Sequence, residues 1–391
     1  MAAYSYPSTE RVLYGAGSIG ELGDEMERLG AERVLLLSTP SLEGSDVESA
    51  VREALGGRCA GISRDCSQHV PLEAVDRLIA TGRAIEPDAI ATVGGGSVTD
   101  AAKALAAALA VGARDARALR EWRIVFEYPD SLEMPSIEGD PVPIVSVPTT
   151  LSAAEYDGIF GMTHEGVKDL YNDQRLAPRA VALDPAATRE TPGELWAASG
   201  IRAVDHAIEI YLSRAPTPVT DAASLHAVRL LFEHLPRSLR DPADDDARLI
   251  CLQASWLSML GVDNVTLGLS HGIGHQIGAR CNVPHGVTSC LMLPTVMARM
   301  VEVMPRRLAD LAAVMDPPSA LLPEREAAAR APQLVRGLVR RLRLPTRLSE
   351  VGVRGDALDL IADDSMRDFV VAFAPIDVSR DEIRSLLREA T

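Results

Sequence analysis

Only two of the 39 lysine and arginine residues in this 391-residue chain are lysine, Lys103 and Lys168, and aromatic residues make up 4% of it. The scarcity of lysine draws attention to these two positions, because each falls inside a candidate motif. The scarcity of aromatic rings means that a large, stacked aromatic ligand is not favoured. Cysteine is sparse as well: Cys59, Cys66, Cys251, Cys281 and Cys290 are odd in number and form no C-x-x-C pair. That spacing argues against a disulfide framework or a zinc knuckle and for free thiols. No stretch approaches the roughly 20 consecutive apolar residues of a membrane helix. The start, MAAYSYPSTERV, lacks the basic residues and apolar run of a signal peptide, so the expected compartment is the cytoplasm. Basic charge is outweighed: a formal net charge of -16 leaves no basic stripe to displace counterions from phosphates. The expected partners are small molecules, with no nucleic acid and no membrane.

What the chain does have is apolar content, 47%, enough for two domains with separate cores. From about Glu32 to Pro185, short apolar runs (RVLLLS at 33–38, DAIATVGGG at 88–96, PIVSVPTT at 143–150, RAVALDP at 179–185) alternate with helical patterns such as LEAVDRLIATGRAI and SVTDAAKALAAALA. Runs that are apolar throughout read as strands covered on both faces, the mark of a parallel α/β sheet. Beyond Pro185 the texture becomes long amphipathic runs broken by Pro and Gly, including ELWAASGIRAVDHAIEIYLS and ARLICLQASWLSMLG. The expectation is therefore an α/β domain over 1–185 and an all-helical domain over 186–391, with the cleft between them the default place for a ligand.

The run ATVGGGSVTDAAK sets Gly94, Gly95 and Gly96 between a strand and a helix opening at Ser97, and carries Asp100 and Lys103 on that helix. Glycines there admit close backbone approach, and the first amides of a helix point at an anion such as a pyrophosphate. The pattern is not G-x-G-x-x-G, and taken alone it is as readily a tight turn. Thr149 and Thr150 end another strand at the sheet edge where open α/β folds bind ligands, though a helix-capping role accounts for them equally well.

The helical half holds a histidine cluster. Arg202 and His206 are four apart in GIRAVDHAIEIY, His271 and His275 are four apart in HGIGHQIGARCNVPH, and His285 closes that stretch. Residues four apart share a helix face, so two segments can converge, and neutral imidazoles are common metal ligands. His69, His164, His226 and His234 have no such company and read as ordinary packed or surface residues. A guanidinium never binds a metal, so Arg202 stands out at the head of this constellation.

GGGSVTDAAK, PTT, HAIE, HGIGHQIG, NVPHG and LPTRL, in this order and spacing, resemble the group III, or iron-containing, alcohol dehydrogenases, a superfamily that includes maleylacetate reductases and, more distantly, dehydroquinate synthase. The local textures LLLSTPS and MTHEGVK resemble the maleylacetate reductase branch. The resemblance spans nearly the whole chain. It implies a dehydroquinate synthase-like, Rossmann-type N-terminal domain, an all-α C-terminal domain, nicotinamide and substrate between them, and a homodimer in which a segment such as YSYPSTERVLYG pairs across the interface. It further implies that Gly94, Gly95, Gly96 and Ser97 hold the pyrophosphate, that Thr149 and Thr150 lie along the adenosine and phosphate side, and that Lys103 and Lys168 border the same cleft with Asp100. It matches His206, His271 and His285 to metal ligands and His275 to a proton relay beside the nicotinamide.

Two departures shape the expectation. The aspartate that opens the family's metal-binding helix is replaced by Arg202, which removes an anion and adds a cation, and so argues against stoichiometric iron or zinc. Thr39 stands where many members carry an acid facing the adenosine ribose, so NADPH is as compatible as NADH. The leading expectation is an NAD(P)H-dependent reductase of an activated carbonyl or enone of a small oxo-acid, acting without a metal. Arg202 meets the developing negative charge or clamps a carboxylate, and His271, His275 or His285 supplies the proton. Alternatives are a structural ion pair of Arg202 with Asp205 or a nearby glutamate, with the histidines left as a relic, and Asp205 as a substitute ligand, which neighbouring His206 opposes by pointing about 100° away on a helix. Rival functions are a metal-dependent alcohol dehydrogenase, a non-redox lyase or cyclase of the dehydroquinate synthase kind, and a silent nucleotide-binding protein.

Overall fold

The computed structural model describes residues 4–6, 8–127, 131–164 and 167–391. The segments YSYPSTERVLYG and MTHEGVK contain Pro7, Glu165 and Gly166, which lie outside the described residues. The chain divides into two compact units: one comprises Tyr6–Val125 and Glu133–Thr191, the other Pro192–Thr391 with the short segments ending at Ser5 and spanning Phe126–Leu132. The division falls at Thr191, six residues beyond the expected 185, because Pro185–Thr188 forms one more turn and Thr191 is tied by its hydroxyl to the Thr149 carbonyl.

The first unit is built on β1 (Arg11–Tyr14), β2 (Val34–Leu37), β3 (Cys59–Ser63) and β4 (Ala89–Gly94), with α1 (Leu22–Arg28), α2 (Asp46–Leu55), α3 (Leu72–Ile85) and α4 (Gly96–Ala110) between and after them. After a short ladder of β5 (Val125–Glu127) and β6 (Ser131–Glu133), whose Phe126–Leu132 stretch belongs to the other unit, come β7 (Ile144–Pro148), the hairpin of β8 (Ile159–His164) and β9 (Val167–Asn172), and β10 (Ala180–Leu183). The main sheet runs β1-β10-β7-β4-β2-β3, all parallel. In β2 the run VLLL is buried at every position: Leu35 and Leu37 pack with Leu78 of α3 and Leu105 of α4, whereas Val34 and Leu36 pack with Met26 of α1 and Val51 of α2. This two-sided burial is why the strand is apolar without alternation. Successive connections leave β2 and β4 in opposite directions, so the carboxyl ends of these neighbours flank a topological switch point, the place where open α/β sheets bind ligands. Arg11–Tyr14 of the expected interface strand instead pairs within the chain, with β10.

The second unit is helical: α5 (Gly193–Tyr211), α6 (Pro218–Arg240), α7 (Asp245–Met259), α8 (Leu269–Cys281), α9 (His285–Met300), α10 (Pro305–Met315), α11 (Glu324–Arg341), α12 (Ala357–Ser365), α13 (Phe369–Ala372) and α14 (Arg380–Glu389). α5 is buried on nearly all sides from Trp196 to Tyr211, as expected of a central helix. The Trp196 indole donates to Ser238 Oγ at 2.9 Å, and Arg248 lies 4.5 Å over its ring. Among the described residues no helix is long and apolar enough to cross a membrane, and all five cysteines are free.

Candidate active site

At the switch point, β4 ends in Gly94, whose φ of +153° suits glycine, and a Cβ there would meet Val98 Cγ2 at 2.5 Å. A Cβ on Gly95 would come within 3.1 Å of Thr150 Cγ2, and one on Gly96 within 3.0 Å of Ser152 Oγ. Gly95 and Gly96 thus let the Thr149–Ser152 segment close on the start of α4, Gly94 lets β4 turn tightly into that helix, and Thr149 N donates to the Gly94 carbonyl at 2.8 Å. The N-cap of α4 is Gly95, so no side chain caps its first amides. Ser97 lies in this first turn. Thr39 follows β2 across the switch point, part-buried, its hydroxyl 2.8 Å from Ser41 Oγ.

Lys103 does not border a ligand site. It is fully buried, and its ammonium donates to the Ala154 carbonyl (2.7 Å), Asp157 Oδ1 (2.8 Å) and the Ile159 carbonyl (2.8 Å), which accounts for all three protons. Its role is to fasten the segment after Thr150 to α4. Asp100 joins this internal network: burial pushes its pKa up, against Lys103, Lys168 and the Gly161 amide, with Asp157 adding to the rise. Lys168 lies on β9 over Gly161, where a Cβ would strike its Cε at 2.0 Å. Glu155 is buried beside Lys103, and desolvation raises it to about 7 against its own backbone amide, Lys103 and the Thr99 hydroxyl.

In the helical unit, Arg202, Asp205, His206 and Glu209 follow one another at helical spacing along one face of α5. Glu209 is the anchor. Its carboxylate accepts Ser270 N at 2.7 Å on one oxygen, and Gly268 N at 2.9 Å, His271 N at 3.2 Å and His271 Nδ1 at 2.6 Å on the other. α8 has Gly268 at its N-cap and so no side-chain cap of its own; Glu209 caps it from a neighbouring helix. Burial and Asp205 push the Glu209 pKa up, while the backbone amides pull it down. Its three backbone contacts are all with donors, which the ionised form satisfies, and an ionised carboxylate also takes the ring N–H of His271.

The bond from Glu209 places the His271 proton on Nδ1 and turns a bare Nε2 inward, without a hydrogen-bond partner. The His206 ring lies 4.8 Å from that of His271, and its Nδ1 also lacks a partner. Burial, with Arg202 nearby, holds both imidazoles well below the ordinary histidine range, so both are neutral near pH 7. Asp205 accepts the Ser270 hydroxyl at 2.9 Å and is raised by burial to about 6, against Arg202 and the Ser289 and Ser270 hydroxyls. Arg202 makes no ion pair within 4 Å among the described residues; its guanidinium makes one long hydrogen bond, 3.4 Å, to Ser289 Oγ. Burial lowers its pKa, against Asp205 and Glu209, and a guanidinium remains charged. The expected alternative of a structural ion pair of Arg202 with Asp205 or a nearby glutamate is therefore absent among the described residues.

His275, one turn along α8, is held through Nδ1 by Asp368 Oδ2 at 3.0 Å, and Gln276 shares that oxygen. The His285 ring, opening α9, meets the His275 ring edge-on at 5.9 Å. The four histidines are thus brought together with Arg202 on α5, α8 and α9.

The metal expectation is revised. The group whose ligand atoms lie within 4.8 Å of one another is Asp205, Glu209 and His271, not His206, His271 and His285. Two carboxylates and an imidazole form a donor set that fits a divalent ion, so the argument from Arg202 against a metal is not confirmed. Against that fit, Glu209 is already occupied by four N–H donors. Glu209, Ser270 and Asp368 were absent from the sequence-based set of site residues. Glu209 could have been found, because it stands three residues from His206 and seven from Arg202 on the same face; nothing in the sequence marks Asp368.

Two family descriptions match the chain, "Iron-containing alcohol dehydrogenase" over residues 9–185 and "Fe-containing alcohol dehydrogenase family, C-terminal" over 196–391. A maleylacetate reductase from Rhizobium sp. (strain MTP-10005) is 29% identical over 380 residues, 97% of this chain and 95% of that protein. Another, from Sphingobium indicum, is 32% identical over 292 residues, 75% of this chain and 73% of its own length. Among solved structures, a 1,3-propanediol oxidoreductase is similar with a TM-score of 0.91 at 26% identity over 100% of both chains. The maleylacetate reductase of the same Rhizobium strain has a TM-score of 0.80 at 28% identity, over 100% of this chain and 98% of the other.

Proposed function

Because this chain belongs to the iron-containing alcohol dehydrogenase family, on its maleylacetate reductase branch, we propose that it is an NAD(P)H-dependent reductase of a small, unsaturated oxo-acid, with Arg202 as its electrophile. The observation that carries this reading is a charged guanidinium on α5, without an ion-pair partner among the described residues, in company with the neutral imidazoles of His206 on the same helix and His271 on α8. The nicotinamide, when bound, supplies the hydride. Gly94, Gly95, Gly96 and Ser97 offer backbone to its pyrophosphate, Thr149 and Thr150 line the same edge, and Thr39 in place of an acid admits the 2'-phosphate of NADPH as well as NADH.

Arg202 stabilises the negative charge that develops on the substrate oxygen, or grips a substrate carboxylate through two parallel N–H bonds. His206 and His271, kept neutral, accept hydrogen bonds on their bare nitrogens. His275 delivers the proton that completes reduction, its ring oriented by Asp368, which also compensates an imidazolium. His285 lies at its edge.

A second reading is favoured by Asp205, Glu209 and His271: these three would hold an iron or zinc ion, which would act as the Lewis acid in a metal-dependent alcohol dehydrogenase. The family relatives are reductases and dehydrogenases, so nothing favours the non-redox or silent readings. One experiment separates the two that remain. Purified enzyme, expressed with iron and zinc supplied, is assayed for metal per chain and for NAD(P)H oxidation with maleylacetate before and after chelation. Turnover that survives chelation in a protein with far less than one metal per chain supports Arg202; chelator-sensitive turnover with about one ion per chain replaces it by the metal reading. The proposal includes a cytoplasmic homodimer, supported by the composition and by the family resemblance, and light scattering at twice the chain mass checks the dimer.

A further inference from the structure

The helical unit contains a cavity, of about 850 Å³, that shares no residue with the histidine cluster. That volume lies in the range of small-molecule sites. Its floor is apolar, with Pro236, Leu342 and Leu344 buried. Three arginines line it, Arg240 at the end of α6, Arg341 at the end of α11 and Arg343 just beyond. All three are exposed, and none finds a carboxylate within ion-pair distance among the described residues.

Arg343 is placed there at a cost. It has φ of +59°. Leu344 N donates to the Val339 carbonyl (3.1 Å) and Arg343 N to the Arg340 carbonyl (3.0 Å), so Arg343 occupies the left-handed position past a helix end where glycine is usual. A glycine would close the helix with less strain; arginine instead brings a guanidinium to the cavity. Two acids also line it. Glu350 is turned to its own loop, accepting Thr346 N at 3.1 Å and Thr346 Oγ1 at 3.3 Å, and Glu194 lies exposed in the first turn of α5. Arginines at helix C-termini also complement the helix dipole, but that needs neither a cavity nor a left-handed arginine.

The geometry points to a binding site for a small organic polyanion, a di- or tricarboxylate or a phosphate ester, whose charges meet Arg240, Arg341 and Arg343 while its carbon body rests on the leucine and proline floor. The site stands apart from the proposed reaction and does not depend on its details.

Citrate and phosphoenolpyruvate, as the two probes, are titrated calorimetrically into the whole enzyme with NADPH present to fill the nucleotide site, and then into Arg240→Ala and Arg343→Gly. The second variant removes the charge while giving the backbone the residue it favours, so it keeps the fold. Saturable binding of one probe per chain, weakened at least tenfold in both variants, supports the site; citrate alone identifies carboxylate chemistry and phosphoenolpyruvate alone identifies a phosphate ester. No saturable binding of either probe at millimolar concentration, or binding that both variants leave unchanged, overturns it.

Discussion

Replacing Glu209 by glutamine tests the construction of the histidine cluster at its most connected point. The carboxylate accepts three backbone amides and the His271 ring N–H, at 2.6–3.2 Å. Glutamine keeps the size but turns an NH2 group towards amides that also donate, so at least one contact becomes donor against donor and the others lose charge assistance. A hydrogen bond to a charged group is worth about 1.5–3 kcal/mol, and removing one side of a buried charged network costs about 3–5 kcal/mol. The expected loss is about 3 kcal/mol of stability in the helical unit. Urea unfolding reads it as a lower midpoint at unchanged slope. Because His271 also loses its fixed tautomer, kcat should fall about tenfold or more while the KM for NAD(P)H stays put. A Glu209→Gln protein whose midpoint and kcat match the parent would mean that Glu209 already carries a proton, and would refute an ionised cap at the start of α8.

Arg202→Met keeps the bulk of the chain and removes the charge; turnover on a small oxo-acid should drop by about 2.7–4 kcal/mol in the barrier, the scale of one lost oxyanion donor, with the circular dichroism melt unchanged. Full activity would end the electrophile role. Glu155 has a pKa near 7 in the fold against 4.5 ordinarily, so the folded state binds the extra proton and stability is lost as pH rises through 7, by about 3 kcal/mol in all. Glu155→Gln should therefore match the parent in denaturant unfolding at pH 5 and exceed it at pH 9; equal values at both would show that Glu155 ionises freely. Gly95→Ala would set a Cβ 3.1 Å from Thr150 Cγ2 and spoil the approach of that segment, raising KM for NAD(P)H about tenfold with a smaller effect on kcat, as steady-state kinetics would show.

The strands β2, β4, β7 and β10 were legible because each is buried on both faces and therefore apolar throughout. β3, reading CAGIS at the sheet edge, was not: its small, half-buried residues give no run to see. The glycine and threonine motifs could be read as sequence, and their meeting at Gly95 and Thr150 follows from the β4–β7 pairing. Lys103 misled because its partners are the Ala154 and Ile159 carbonyls together with Asp157, and backbone acceptors leave no trace in residue identity. Asp368 escaped for a related reason: it reaches His275 across 93 residues from a turn with no periodic pattern.

The sealing of Lys103 has a practical side. Of the two lysines in the whole chain, one, Lys103, is closed to water, while Lys168 on β9 is part-buried. Acylation of Lys103 by an amine-directed dye would therefore signal that α4 had come away from the segment Ala154–Ile159 that encloses its ammonium.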